Sequence, residues 1–427
     1  MSQTINKIGF YVVDKRHYDY FGNVWTELQK RGIPFELIIN DQLSEVKQSV
    51  KDEYDLEMVS IAKHKGHSWI TLTDVLKKGC KYKVFVTTFT FKFGVRSPET
   101  TLIENVVRRG YRAIQKILRL FRSNLFSESL ESWYRQYELD KLQLPEVLAG
   151  QIVVQFPKGM DIHLAKFPDP QTKDIIDLYL CHGDFDSNLV QTRTKKPCAV
   201  IGYPRYDNLV DPELKLAKNI RTEFGIPSDK PIVAWLPTYV PRQGNDDFNI
   251  DSWAPFVAEL TKNFAVIVRP HPKRVERDRE ILNDKLSSFG FYVDLVAERD
   301  MSELYAGAAF TLCDYGGVVF SSVYTDQNLI LLNHPEHDSE HQRKENLIVY
   351  QIRDQLLNVG FEQANQEPDI LIKLTQNKEI WDQQSRIRDK VREQFFGGVE
   401  AGRGSELAAE ILDNVLSEGR SSNIFKQ

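Results

Sequence analysis

The sequence predicts an α/β protein built from two doubly wound, Rossmann-like domains, on three observations. Its 427 residues exceed the roughly 250 to 300 at which a single hydrophobic core stops growing. Short β-branched and aromatic runs alternate with longer polar, helix-compatible stretches, as strands and crossover helices of a parallel sheet do. These runs also form two series separated by a polar segment. In the first half the candidate strands are KIGFYVVD (7–14), PFELIIN (34–40), KVFVTTF (83–89), QIVVQF (151–156), DLYLCHG (177–183) and CAVIGYP (198–204). In the second they are PIVAWLPT (231–238), AVIVRPHP (265–272), FYVDL (291–295), AFTLCDYG (309–316) and LILLN (329–333). The stretch RYDNLVDPELKLAKNIRTEFGIPSDK divides the series and places a boundary near 205–228. The domains are therefore expected at 1–210 and 228–395, with 396–427 a C-terminal helical segment packing back across them.

Composition narrows the function. With 41% hydrophobic and 27% charged residues the chain reads as an ordinary folded protein. Its 55 basic and 60 acidic residues give a net charge of -5, so no global field favours nucleic acid and anion binding must be local. The N-terminus runs straight into a strand, and no window holds the roughly 18 uncharged apolar residues of a membrane span. A cytoplasmic location follows as the expectation. The cysteines Cys80, Cys181, Cys198 and Cys313 form no CxxC pair, sit in or beside apolar runs, and suit a reducing compartment.

In open α/β sheets ligands bind beyond the carboxyl ends of the strands, and two such domains facing each other put the chemistry in the cleft between them. The most informative strand end is Arg269-Pro270-His271-Pro272-Lys273. There the apolar run AVIV delivers a planar guanidinium, an imidazole and a point cation, a set suited to a diphosphate. The next is Asp314-Tyr315-Gly316-Gly317, read as strand, glycine turn and helix, where free amides form an anion site. In the first half, Lys158, Asp161 and His163 occupy a glycine-containing loop after a strand, and His182 ends another strand. Each of Asp161, His163 and His182 is a candidate base for an attacking hydroxyl. Asp184-Phe185-Asp186 has the DxD form of a metal-nucleotide motif, and His334 to His341 mixes imidazoles with carboxylates. Three-residue matches such as DxD occur by chance and the fold points elsewhere, the histidine run lacks a compact helical HExxH-type arrangement, and no metal is assigned.

Residues 103–125 form a further feature. Val107, Tyr111, Ile114, Leu118, Phe121 and Leu125 recur at helical spacing, while Arg108, Arg109, Arg112, Lys116, Arg119 and Arg122 fill the remaining surface. Two readings stand: a helix packed on the core with a basic outer face, or one lying on an anionic membrane surface.

Several of these segments, in order, resemble the CDP-glycerol glycerophosphotransferase family of teichoic acid and capsule polymer enzymes. Gly202 to Asp207 (GYPRYD) resembles the family's GxPRND, Leu236-Pro237-Thr238 its APTW strand end, and Arg269-Pro270-His271 its RPH. Asp314 to Gly317 resembles its DYSS, and Phe395-Phe396-Gly397 with Gly402 to Ser405 its closing segment. The resemblance spans roughly residues 150–415. It implies a GT-B fold with two domains facing a central cleft, a CDP-activated donor such as CDP-glycerol in the C-terminal domain, and a polymer or lipid-linked acceptor. It also implies release of CMP without a metal or other cofactor, on the inner face of the plasma membrane if the basic helix docks there. On this resemblance Arg269 and His271 stabilise the diphosphate and leaving group, Thr238 and Arg242 contact the donor, and the turn after Asp314 binds through amides; Lys273, the point cation of the same strand end, and Arg205 complete the donor-side set. Two departures stand out. The family's WHGT histidine aligns with Lys158, which leaves the base to His163, Asp161 or His182; and the serines of DYSS are Gly316 and Gly317. A nucleotide-sugar glycosyltransferase is therefore an alternative. A non-hydrolysing UDP-sugar 2-epimerase, whose DSGG turn Asp314 to Gly317 also resembles, is another, and a nucleotide-binding subunit without activity is a third.

Overall fold

The computed structural model describes residues 3–13, 17–21, 23–41, 58–88, 110–111, 113–114, 144–157, 159, 168, 174–238, 248–296, 299–314, 316–333, 350–351 and 353–425. Two parallel sheets organise it. The first contains β1 (Thr4–Val12), β2 (Phe35–Ile39), β3 (Trp69–Thr71), β4 (Lys81–Thr87), β5 (Gly150–Gln155), β6 (Leu178–Cys181) and β7 (Cys198–Val200). The second contains β8 (Ile232–Leu236), β9 (Ala265–Val268), β10 (Tyr292–Val293), β11 (Ala308–Cys313), β12 (Leu329–Asn333) and β13 (Asn358–Gly360). The predicted α/β class with two doubly wound sheets is what the chain adopts.

The strand orders are β3-β2-β1-β4-β5-β6-β7 and β10-β9-β8-β11-β12-β13. Each sheet grows outward in both directions from a central pair, β1/β4 in the first and β8/β11 in the second. Those pairs are the topological switch points, where ligand crevices open in such folds. The central strands are buried on both faces, which is why they read as continuous apolar runs: Ile232 to Leu236 and Ala265 to Val268 contain no exposed residue. In β1, Phe10 and Val12 enter one core with Phe21, Trp25 and Leu28, while Tyr11, with Val13 just past the strand, enters another with Phe85. Two strands, β3 and β13, were not evident in the sequence, and FYVDL contributes only Tyr292–Val293. All three are edge strands of two or three residues, too short to show an alternation.

The C-terminal segment ties the sheets together. Helix Lys378–Phe396 ends with Phe395 and Phe396 in the core of the second domain, where Phe395 also packs at a tilt against Phe185 of the first, with ring centroids 4.4 Å apart. Helix Gly404–Glu418 then buries Ala408, Ala409, Leu412, Val415 and Leu416 against the first sheet. Its N-terminus is held by Asp207, whose carboxylate accepts from the amides of Gly404 (3.0 Å) and Ser405 (2.6 Å). Amides at a helix start otherwise lack partners, and such a cap is worth about 1 kcal/mol. The GYPRYD segment and the closing segment, almost 200 residues apart, are thus one junction. The fit is tight: a Cβ on Gly202, which has φ +78°, would lie 2.6 Å from Val399.

Candidate active site

Three segments picked out separately in the sequence share one edge. Because β9, β8 and β11 are neighbours, their carboxyl ends place Arg269–His271, Pro237–Thr238 and Asp314–Gly317 side by side at the switch point. Backbone and side-chain bonds lock them. The Arg269 amide donates to the Trp235 carbonyl at 2.9 Å, and the Thr238 amide donates to Asp314 Oδ1 at 2.9 Å. Gly316 precedes helix Gly317–Tyr324 with φ +87°, a conformation that glycine alone adopts cheaply. A Cβ there would lie 3.8 Å from Thr238 Oγ1, so the turn faces Thr238. His271 is half-buried and leads directly into helix Pro272–Ser287.

Arg269 is more constrained than a surface cation. Its Nη1 donates to Asp294 Oδ2 (2.7 Å) and to the Val296 carbonyl (2.6 Å). Asp294, 1% exposed, also accepts from Arg299 Nε at 2.7 Å, and Arg299 makes a bidentate pair with Glu223 at 2.8 and 2.6 Å. A buried carboxylate between two guanidiniums fixes the RPH strand end. The sequence offered one signal for it, an acid inside the apolar run FYVDL. A second residue that sequence reasoning missed is Arg353, whose Nε and Nη2 donate to the Asp314 carbonyl at 3.1 and 2.9 Å.

The first domain meets this edge through helix His17–Tyr20. Asp19 on that helix pairs with Arg205 Nη2 at 2.5 Å. Burial raises the Asp19 carboxyl above its ordinary value, the Arg205 and Arg269 charges oppose that, and Asp300 reinforces it. Arg205, assigned to the donor from sequence, thus sits at the domain junction beside Tyr203 and Tyr206. His182 lies under the same junction. Its Nδ1 is 3.1 Å from Asp186 Oδ2, its ring packs edge-on against Tyr203 at 4.6 Å, and its buried Nε2 has no hydrogen-bond partner among the described residues. Asp186 also accepts from the His182 and Gly183 amides, so the DxD residues include a helix cap.

Other sequence candidates lie outside the described residues: Lys158, Asp161, His163, Arg242, the side chain of Lys273, the segment His334 to His341, and all but four residues of the basic stretch 103–125. At the first sheet's own switch point, His17 Nδ1 lies 3.3 Å from the Tyr11 carbonyl and Nε2 3.1 Å from Thr88 Oγ1. Beside them Thr87 Oγ1 donates to Glu146 Oε1 at 2.9 Å. Burial pushes the Glu146 carboxyl above its ordinary value, outweighing that hydrogen bond. Among the described residues no group of three or more His, Cys, Asp or Glu is placed to hold a metal ion. No described helix is long and apolar enough to cross a membrane.

Comparison with known proteins bears on this edge. The model of the family described as CDP-Glycerol:Poly(glycerophosphate) glycerophosphotransferase matches residues 188–412, a little over half of the chain. A search of curated protein sequences finds no match. Among solved structures, the wall teichoic acid polymerase TagF superposes with a TM-score of 0.55 at 15% identity, covering 97% of this chain and 89% of that one. A histidine-to-alanine variant of TagF gives 0.58 at 15%, and a histidine variant soaked for 30 minutes with CDPG gives 0.56 at 16%; each covers 97% of this chain and 90% of its own. At such identity the likeness shows a shared GT-B fold, while the family match extends from helix Asp184–Thr194 through both strand-end motifs to the C-terminal helix. The chain therefore belongs to the CDP-glycerol:poly(glycerophosphate) glycerophosphotransferase family and is a transferase of that type.

Proposed function

We propose that the protein transfers glycerol phosphate, or a related polyol phosphate, from a CDP-activated donor to a hydroxyl of a cell-surface glycan or lipid-linked polymer. The observation that carries this reading is the single edge formed by Thr238, Arg269–His271 and Asp314–Gly317 at the switch point of the second sheet. The acceptor oxygen attacks the β-phosphorus, the bond from that phosphorus to the bridging oxygen breaks, and CMP leaves with the electron pair. Phosphoryl transfer of this kind is governed by positioning and charge stabilisation. His271 stabilises the leaving oxygen, the amides at Gly316 and Gly317 and the Thr238 side chain bind the diphosphate, and Arg269 supplies positive charge from its fixed position. Lys273 and Arg242 add donor contacts. The acceptor's proton goes to a group of the first domain, with His163, Asp161 and His182 the candidates and Lys158 beside them. The chemistry needs no metal or other cofactor.

A nucleotide-sugar glycosyltransferase is the second reading, favoured by Gly316 and Gly317 standing where the family has serines. Incubation with a lipid-linked acceptor and either CDP-glycerol or UDP-sugars separates the two. CMP release with a product heavier by one glycerol phosphate supports the first; UDP release with glycosyl addition replaces it by the second. The same reading puts the protein at the inner membrane face through residues 103–125. An Arg112→Glu/Arg119→Glu variant then loses liposome co-sedimentation, and unaltered sedimentation contradicts this docking.

A further inference from the structure

Arg353 is 3% exposed, and charges buried to this degree are ordinarily matched by a close partner. Its hydrogen bonds go instead to neutral oxygens: Nε and Nη2 to the Asp314 carbonyl (3.1 and 2.9 Å), and Nη2 also to Asn333 Oδ1. Nη1 is buried without a hydrogen-bond acceptor among the described residues. Its ion pair among the described residues is with Asp354 at 3.8 Å, a side chain 39% exposed. On the other side of the same backbone unit, Asp314 is 2% exposed and directs Oδ1 at the Thr238 amide. The turn that follows leads through Gly316 into a helix that begins without a side-chain cap, and a helix N-terminus of this kind favours an anion. A buried carboxylate beside an anion site repels what the site must bind, and does so more strongly at low effective dielectric than in water.

We propose that Arg353 is a positioning residue for the donor: it fixes the 314–317 turn through the Asp314 carbonyl, and its positive charge offsets the Asp314 carboxylate so that a diphosphate is accepted there. This rests on the reading of the edge as a nucleotide-diphosphate site. It assigns to Arg353 an effect that scales with ligand charge, which a purely structural role does not produce.

The test is calorimetric titration of CDP and CMP into the full-length protein and its variants, with melting temperatures as the control for folding. Arg353→Lys keeps the charge and is expected to bind CDP within about threefold of the parent. Arg353→Gln keeps one donor toward the carbonyl but no charge, and is expected to weaken CDP about tenfold or more and CMP less. Equal CDP affinity in the Gln variant and the parent, or equal weakening in Lys and Gln, overturns the proposal. If Arg353→Gln does not fold, the Arg353→Gln/Asp314→Asn double variant decides: it removes both charges and keeps an acceptor for Thr238. CDP binding within about threefold of the parent supports the offset, and a loss of about tenfold overturns it. Failure of the parent itself to bind CDP, CMP or UDP would instead remove the reading of the edge on which this inference rests.

Discussion

The two sheets reverse their strand order in the same way, but their switch points are finished differently. At β8/β11 the strand ends are joined through backbone groups, Thr238 N to Asp314 Oδ1 and Arg353 to the Asp314 carbonyl. The turn that results carries a glycine at φ +87° and faces Thr238. At β1/β4 the polar side chains engage one another: His17 with Thr88, and Thr87 with Glu146, all at most 3% exposed. The first arrangement brings a guanidinium, an imidazole and a glycine turn to one edge, the chemistry proposed above for the donor diphosphate. The second is a buried knot whose groups are already partnered. On the proposed reading, one architecture supplies a donor edge in one domain and a buried polar brace in the other, and fold alone does not tell them apart; the residues at the strand ends do.

Substitutions at the two edges test this contrast. The largest effect is expected for His271→Ala, which lowers turnover about 10²- to 10³-fold, the range for losing one electrostatic contact to a transferring group. Because His271 is half-buried beyond the end of β9, the melting temperature stays close to that of the parent. CMP release and a thermal melt read both quantities, and full activity would break the comparison. Next, Asp294→Ala removes the buried carboxylate that Arg269 and Arg299 share and destabilises the protein by about 3–5 kcal/mol in urea titrations. An intact melt in that variant would mean that the arginines are not held as described. Gly316→Ala forces a side chain into a backbone region that glycine alone populates, a cost of about 1–3 kcal/mol that appears as weaker CDP binding in calorimetry.

The smallest effect belongs to the other edge. The Glu146 carboxyl is raised by burial, so the folded state holds its proton more tightly than the unfolded chain does. That contribution is complete below the unfolded value near 4.5 and is lost as pH rises through the folded value, so stability falls with pH across that window. Glu146→Gln keeps an oxygen for Thr87, removes this dependence, and leaves stability at neutral pH equal or higher by about 1 kcal/mol. Urea midpoints measured from pH 4 to 8 check the sign. A variant less stable than the parent at pH 7 would show that the carboxylate form is needed.

Much of this was legible in the chain. The central strands are continuous apolar runs, and the chemistry-bearing residues follow them directly in sequence, so Arg269, His271, Thr238 and Asp314 could be placed at strand ends without coordinates. What escaped were partners set by the third dimension. Arg353 reaches Asp314 across 39 residues, and Asp19 meets Arg205 through the domain junction; no local pattern marks either. Asp207 shows the same limit from the other side. Its segment was recognised by resemblance, but its work as the cap of a helix 197 residues later emerges only when the chain closes on itself.

The central claim, that the β9/β8/β11 edge holds the diphosphate of a cytidine-activated donor, is tested most directly by thermal shift. The purified protein is melted against CDP-glycerol, CDP-ribitol, CMP, UDP-sugars, UDP and GDP-sugars, because a ligand that binds only the native state raises its melting temperature. Stabilisation confined to the cytidine compounds, and reduced in His271→Ala, is the predicted result. Stabilisation by uridine or guanosine diphosphates with none from CDP-glycerol would contradict it.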